Sequence, residues 1–223
     1  KEEIMEKKDL LEHSPVRFFD KATNAGLKNG EMGLVTAKKG LGKTSILVQF
    51  GIDSLLEDKA LVHVSFDQQS SNVIAWYSSI MAEVAKKKNF NLDEINDDIV
   101  RNRTILNFNQ ETFTLPKVVN TIKAMKDGGI KLSTVVVDGL DLDAISTEDL
   151  ECFAKYIKAE KMTAWFSFTN EAAELEDTLA KDKLEFFATV AHLAASGSNI
   201  SLSILKNGKG SVNLDAKTLL FTK

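Results

Sequence analysis

One octapeptide constrains this chain more than any other feature. Ala37-Lys38-Lys39-Gly40-Leu41-Gly42-Lys43-Thr44 leaves a short apolar run, Met32–Ala37, and enters a periodic one, Thr44–Leu56, with Leu47, Phe50 and Leu55 on one face. A strand, a glycine loop ending in Lys-Thr and a helix make the phosphate-loop arrangement, with Ala37 where the pattern has its first glycine. The chemistry explains the residue types. Gly40 and Gly42 let the backbone curl until successive N–H groups converge on a phosphate, and the helix adds the positive end of its dipole. The Lys43 ammonium is placed to reach the terminal phosphates, and the Thr44 hydroxyl to ligate magnesium. Ala37, Lys38, Lys39, Gly40, Leu41, Gly42, Lys43, Thr44 and Ser45 are therefore the expected contacts to a nucleotide cofactor. A glycine turn that merely caps a helix is the plainer reading; the strand before the loop and the helix after it argue against that.

The rest of the chain alternates strand and helix. Apolar runs predict strands over Ala60–Phe66, Thr104–Phe108, Val135–Val137 and Thr163–Phe168. Helical spacing covers Asn72–Lys87 (Ile74, Tyr77, Met81 and Val84 on one side), Leu115–Lys126 with Pro116 in its first turn, Thr147–Ala159 capped by Ser146 or Thr147, and most of Asp177–Phe187. Val190–Leu193, Ile200–Leu205 and Thr218–Phe221, joined by Gly, Ser and Asn, read as strands of antiparallel hairpins. Strand–helix alternation implies parallel β-α units in a three-layer α/β sandwich. A length of 223 residues suits one such domain. Residues 1–13 read as a helix or tail, ended by Ser14-Pro15, and 14–223 as the domain.

A second motif sits further on. Ser133-Thr134-Val135-Val136-Val137-Asp138 is a buried strand ending in a carboxylate at the sheet edge where doubly wound folds gather ligand groups. Asp138 is the expected partner of Thr44 in holding magnesium. Taken alone, an apolar run before an acidic turn is a weak signal, since Asp141 and Asp143 follow it.

With both motifs placed, the chain resembles the RecA/KaiC-like P-loop ATPases from Ser14 onward. Phe18-Phe19-Asp20 and Ala25-Gly26-Leu27-Lys28-Asn29-Gly30 are similar to that family's lead-in, and Val62-His63-Val64-Ser65-Phe66-Asp67-Gln68 to the strand that delivers its catalytic carboxylate. Leu202–Gly210 resembles the late hairpin that sends basic residues to a neighbour's nucleotide. The resemblance implies a mostly parallel central sheet with antiparallel strands at its C-terminal end. It further implies ATP and Mg2+ as cofactors, a homo-oligomer, Asp67 or Gln68 beside the attacking water, and Lys206 and Lys209 acting in trans. The family carries Glu where this chain has Asp67 and Gln68. Asp is one methylene shorter and Gln cannot take a proton, so slow hydrolysis is expected. Lys206 and Lys209 also lack the forked donor set of Arg.

Other readings follow from the same residues. The Lys38 position and Phe66-Asp67-Gln68-Gln69 also resemble ParA/MinD-like ATPases. An ATP-responsive scaffold with little hydrolysis and a recombinase paralogue acting on DNA are further alternatives. The net charge of −4 and the absence of an obvious basic loop make nucleic acid the less favoured partner, against an unidentified protein. No guanine-reading motif decides between ATP and GTP. A single cysteine, Cys152, suits a reducing compartment, and with neither a secretory pattern nor an apolar stretch of membrane length the expected location is the cytoplasm. The chain opens at Lys1 rather than Met, which leaves room for neighbouring sequence.

Smaller features read more plainly. Thr169-Asn170-Glu171 fits a γ-phosphate sensor and a helix cap equally well. Lys86–Lys88 reads as a solvated helix end, Trp76-Tyr77 as a packing face rather than a base-stacking pair, and His63 and His192 as satisfied strand histidines.

Overall fold

The computed structural model describes residues 7–66, 68–171 and 179–223. Helices are α1 (Lys7–Glu12), α2 (Val16–Ala22), α3 (Lys43–Leu56), α4 (Ser70–Lys88), α5 (Asn96–Asn102), α6 (Leu115–Asp127), α7 (Thr147–Ala159) and α8 (Lys181–Leu184). Strands are β1 (Met32–Ala37), β2 (Ala60–Ser65), β3 (Arg103–Asn107), β4 (Leu132–Asp138), β5 (Thr163–Thr169), β6 (Thr189–Ser196), β7 (Asn199–Lys206), β8 (Ser211–Leu214) and β9 (Phe221–Thr222). They form one nine-stranded sheet in the order β3-β2-β4-β5-β1-β6-β7-β8-β9. The pairs from β3 through to β6 are parallel, and those from β6 to β9 antiparallel. The expected RecA-like α/β architecture is therefore present.

The central strands are near-continuous apolar runs because helices cover both their faces. Every residue of β1 and β2 is buried. Strand alternation divides them between two cores. Val135 and Val137 turn to α6 and α7, meeting Val118, Ile122, Leu150, Phe153 and Ile157. Val136 faces the other way, into the core that α3 contributes with Ile46, Leu47 and Phe50. Leu61 faces a third cluster between α3 and α4.

Helix α3 is buried along its entire length. Its polar side chains therefore need internal partners. Gln49 donates to the Leu219 carbonyl (2.8 Å) and accepts from the Phe221 amide (3.0 Å), pinning the last strand. Ser54 shares a hydrogen bond with Thr134 at 2.6 Å, and Asp53 pairs with Arg17. Phe50 stacks on Trp165 at 4.2 Å between ring centroids, and Phe19 and Phe221 close the cluster. Among the described residues no helix is long and apolar enough to cross a membrane.

Several expectations need correction. Ile74 is 42% exposed, because the stripe that α4 buries is Val73, Tyr77, Ile80, Met81 and Val84, one position round. Val190–Leu193 is not only a hairpin strand: β6 pairs parallel with β1 and antiparallel with β7. The strand expected over Thr218–Phe221 is shortened to β9, since Asp215 caps a turn through the amides of Lys217 and Thr218 and Leu219 takes φ +59°. Among the described residues of the helix expected over Asp177–Phe187, α8 is the helical part; the start of that span lies outside them. The short helices α2 and α5 and the strand β8 were not legible in the pattern. Each is too short to show a period, and tertiary packing of Phe19, Ile99 and Val212 holds them.

Candidate functional site

Parallel strands β1, β5 and β4 end side by side at one edge of the sheet, and their ends build the site. The backbone leaves β1 at Ala37, which is fully buried and packs with Val35 and Trp165; an alanine fits where the pattern has glycine because its methyl is part of the core. Gly40 takes φ +82° and Gly42 φ +103°, conformations that a side chain resists, and these two reversals curl the loop. Ser45 uses its hydroxyl to hold the Gly42 carbonyl at 2.7 Å, and Leu41 packs against the core beside it. Lys43 is buried, with Nζ 3.5 Å from the carbonyls of Ala37 and Lys38, so the ammonium is held across the loop's interior.

The two predicted magnesium ligands meet. Thr44 Oγ1 donates to Asp138 Oδ2 at 2.8 Å although the residues are 94 positions apart. Ser167 on β5 donates to Asp138 Oδ1 at 2.5 Å and receives the Gly139 amide at 2.8 Å. Asp138 is 3% exposed. Burial pushes its carboxyl up, but the His63 ring, Ser167 and Thr44 outweigh that and hold it below the ordinary carboxylate value. Gln68 donates from Nε2 to Thr44 Oγ1 at 2.9 Å, so an amide, not a carboxylate, stands next to the ligand pair. The Asn107 side chain donates to the Gln68 carbonyl and fixes it there. Asp67, the candidate base, lies outside the described residues.

These groups surround a cavity of about 570 Å3 lined by Lys39, Gly40, Gly42, Lys43, Thr44, Gln68, Asp138, Thr169 and Trp76. Trp76 is an addition, whereas Thr169 belongs to the Thr169-Asn170-Glu171 segment expected as a γ-phosphate sensor or a helix cap. Helical periodicity assigns Trp76 to a packing face, and it does pack, half-buried, beside fully buried Tyr77; it also reaches the cavity wall. Glu171, just after β5, accepts the Lys39 amide at 3.0 Å. Asn170 is buried, and its backbone N–H donates to the Ala37 carbonyl at 2.9 Å.

Lys206 and Lys209 are not brought to this cavity. Register places Lys206 opposite Val190, and Val190 lies level with Leu34 near the start of β1. The Gly208 bridge to Thr23 keeps the turn at the far edge, away from this chain's own phosphate loop.

Magnesium suits the donor set. A hydroxyl and one carboxylate leave room for phosphate oxygens and water, which is how this ion is bound. Among the described residues no group of three or more His, Cys, Asp or Glu forms a cage for another metal.

A family model described as "ATPase: KaiC" matches residues 13–194. The chain belongs to the KaiC ATPase family. None of the curated proteins searched matches it. Membership makes the chain a P-loop ATPase of RecA/KaiC type and decides against the ParA/MinD-like alternative. It implies nucleotide binding, typically with Mg2+. The match ends within β6, so the β7–β9 extension lies beyond it.

Proposed function

We propose that this KaiC-family chain binds MgATP at the β1–β4 edge and hydrolyses it slowly, within a homo-oligomer in the cytoplasm. The observation that carries the reading is the Thr44–Asp138 contact at 2.8 Å in the wall of the cavity that the phosphate loop opens into. Loop amides and Lys43 would grip the phosphates, and Thr44 and Asp138 would hold magnesium, which neutralises phosphate charge when bound. Gln68 lies beside the Thr44–Asp138 pair, where an attacking water would be positioned, and Asp67 precedes it in sequence. Because Gln68 offers only an amide, proton removal falls to Asp67 or to the phosphate itself, and turnover is slow.

The same observation supports a second reading, an ATP-responsive scaffold that turns over little. The two readings part on one measurement. Calorimetric titration with MgATP, followed by single-turnover phosphate release on the same sample, gives binding with slow release for the ATPase and binding with none for the scaffold. Absence of binding overturns both. Trp76 on the cavity wall makes its fluorescence a parallel signal of occupancy.

In trans completion by Lys206 or Lys209 belongs to the proposal, because these lysines reach a nucleotide only from another copy. Mixing Lys43→Ala and Lys206→Ala subunits restores part of the activity if it is right. Full activity in dilute monomer together with no restoration overturns it.

A further inference from the structure

His63 occupies the middle of β2 and is completely buried between Val62 and Val64. An aliphatic side chain would fill this position without desolvation cost, whereas a buried imidazole needs partners for both ring nitrogens. Nδ1 lies 3.1 Å from the Tyr77 hydroxyl, itself fully buried on α4. Among the described residues Nε2 has no hydrogen-bond partner within ordinary reach; Asp138 Oδ2 stands 3.5 Å away, the oxygen that also takes the Thr44 hydroxyl. The orphaned nitrogen therefore faces the carboxylate of the proposed magnesium site.

We propose that His63 is a positioning residue for the Asp138 carboxylate, and that Tyr77 sets the imidazole tautomer that lets it act. The proposal rests on the reading of Thr44 and Asp138 as the magnesium ligands. Burial raises the proton affinity of the Tyr77 phenol, so the hydroxyl stays a donor. Donating to Nδ1, it leaves the ring proton on Nε2, aimed at Asp138. Ser167 already engages Oδ1 and Thr44 engages Oδ2. With Nε2–H as a third donor, the carboxylate cannot rotate about its Cβ–Cγ bond without giving one up. Partners of this kind orient a metal's ligands and raise its affinity.

The fold makes room for this chain of contacts. A Cβ on Gly51 of α3 would come within 2.5 Å of the Tyr77 hydroxyl oxygen. Glycine inside a buried helix is less favourable than alanine, and here it clears the space the phenol needs. The Arg103 guanidinium lies 5.0 Å above the Tyr77 ring and fixes its other side. Tyr77 neighbours Trp76 in sequence, so the contacts run from the magnesium ligand to the helix that walls the cavity.

The test uses the full chain, ADP and Mg2+, with calorimetric binding in EDTA and across a Mg2+ titration. For His63→Phe, which keeps a flat ring but no donor, the Mg2+ concentration for half-maximal tightening rises about 10- to 100-fold, the usual loss when a metal ligand's partner is removed. Its ADP affinity in EDTA stays at the wild-type value. His63→Gln, whose Nε2 can still donate, recovers most of the loss, and Tyr77→Phe shows a smaller rise of the same kind. Should His63→Phe not fold, Tyr77→Phe, which removes one oxygen, carries the test. Equal weakening with and without Mg2+ assigns His63 to packing and overturns the proposal, as does an unchanged Mg2+ requirement in the folded variants. If wild type binds no ADP under either condition, the nucleotide reading itself has failed and takes this proposal with it.

Discussion

Asp138 and Asp53 are both buried, and they sit at opposite ends of α3: Asp138 accepts from Thr44 in its first turn, and Asp53 belongs to its last turn. Asp138 is surrounded by donors, with Ser167, Thr44 and the His63 ring converging on it, and its carboxyl lies below the ordinary value. Asp53 pairs with Arg17 through one oxygen, while the other, Oδ1, has no hydrogen-bond partner among the described residues. Burial there outweighs Arg17 and Ser14, the carboxylates of Asp20 and Glu57 add to it, and the carboxyl is pushed up to about 6. The lesson is that burial alone does not set a carboxylate's charge; the number of aimed donors does. One edge of the sheet holds a carboxylate on which Ser167, Thr44 and the His63 ring converge. The other holds one under electrostatic stress inside a cavity lined by Arg17, Asp20, Asp53, Glu57 and Lys59.

The comparison implies that the two edges separate function from stability, and it can be broken. The largest effect belongs to the far-edge aromatic cluster. Phe50→Ala should cost about 3–5 kcal/mol in chemical denaturation, while the folded protein keeps its MgATP affinity. A tenfold loss of affinity would mean that α3 couples the edges.

Next comes pH. Asp53 binds its proton more tightly when folded than unfolded, so stability from this group is full below about pH 4 and is lost as pH rises through about 6. Asp138 has the opposite sign: its contribution is present above the unfolded value and lost as pH falls through its lower folded one. Asp53→Asn should therefore flatten the decline between about pH 4 and pH 6, by up to about 3 kcal/mol, measured by denaturant titration across that range. A slope that persists in the variant places the stressed carboxylate elsewhere.

Lys43→Ala should act in the reverse manner. Losing a charge-assisted contact of about 1.5–3 kcal/mol weakens MgATP about 10- to 100-fold by calorimetry, while unfolding stability changes by less than about 1 kcal/mol. The smallest expected effect tests whether the nucleotide edge also carries stability. Ser146 caps α7 by accepting the Asp149 amide at 3.1 Å, just beyond the β4 end, and Ser146→Ala should cost about 1 kcal/mol with nucleotide binding intact.

Much of the site was legible because its parts are local. The loop from Ala37 to Thr44 is read from adjacent residues, and strand and helix on either side follow from period. Ser146 as cap is likewise local chemistry. Trp76 was legible only as half of its role, since helical spacing tells that a residue packs and not that its far side borders a cavity. His63 gave no signal beyond an unexpected imidazole in an apolar strand. Ile74 was misplaced because a helix's true stripe depends on what it packs against, and one position of rotation exchanges it for Val73.

Read alone, the residues settle a phosphate-gripping loop between a strand and a helix, a carboxylate at the end of a second buried strand, and a layered α/β domain. Those features depend on neighbours a few positions apart, where backbone geometry and side-chain period act directly. Three-dimensional packing settles the rest: that β5 lies between β1 and β4, that Thr44 meets Asp138, that Gln68, Trp76 and His63 gather around them, and that Lys206 ends at the opposite edge. Each of these is a contact between segments far apart in sequence. Its geometry is set by which strands pair and which faces are buried, and no local pattern encodes that.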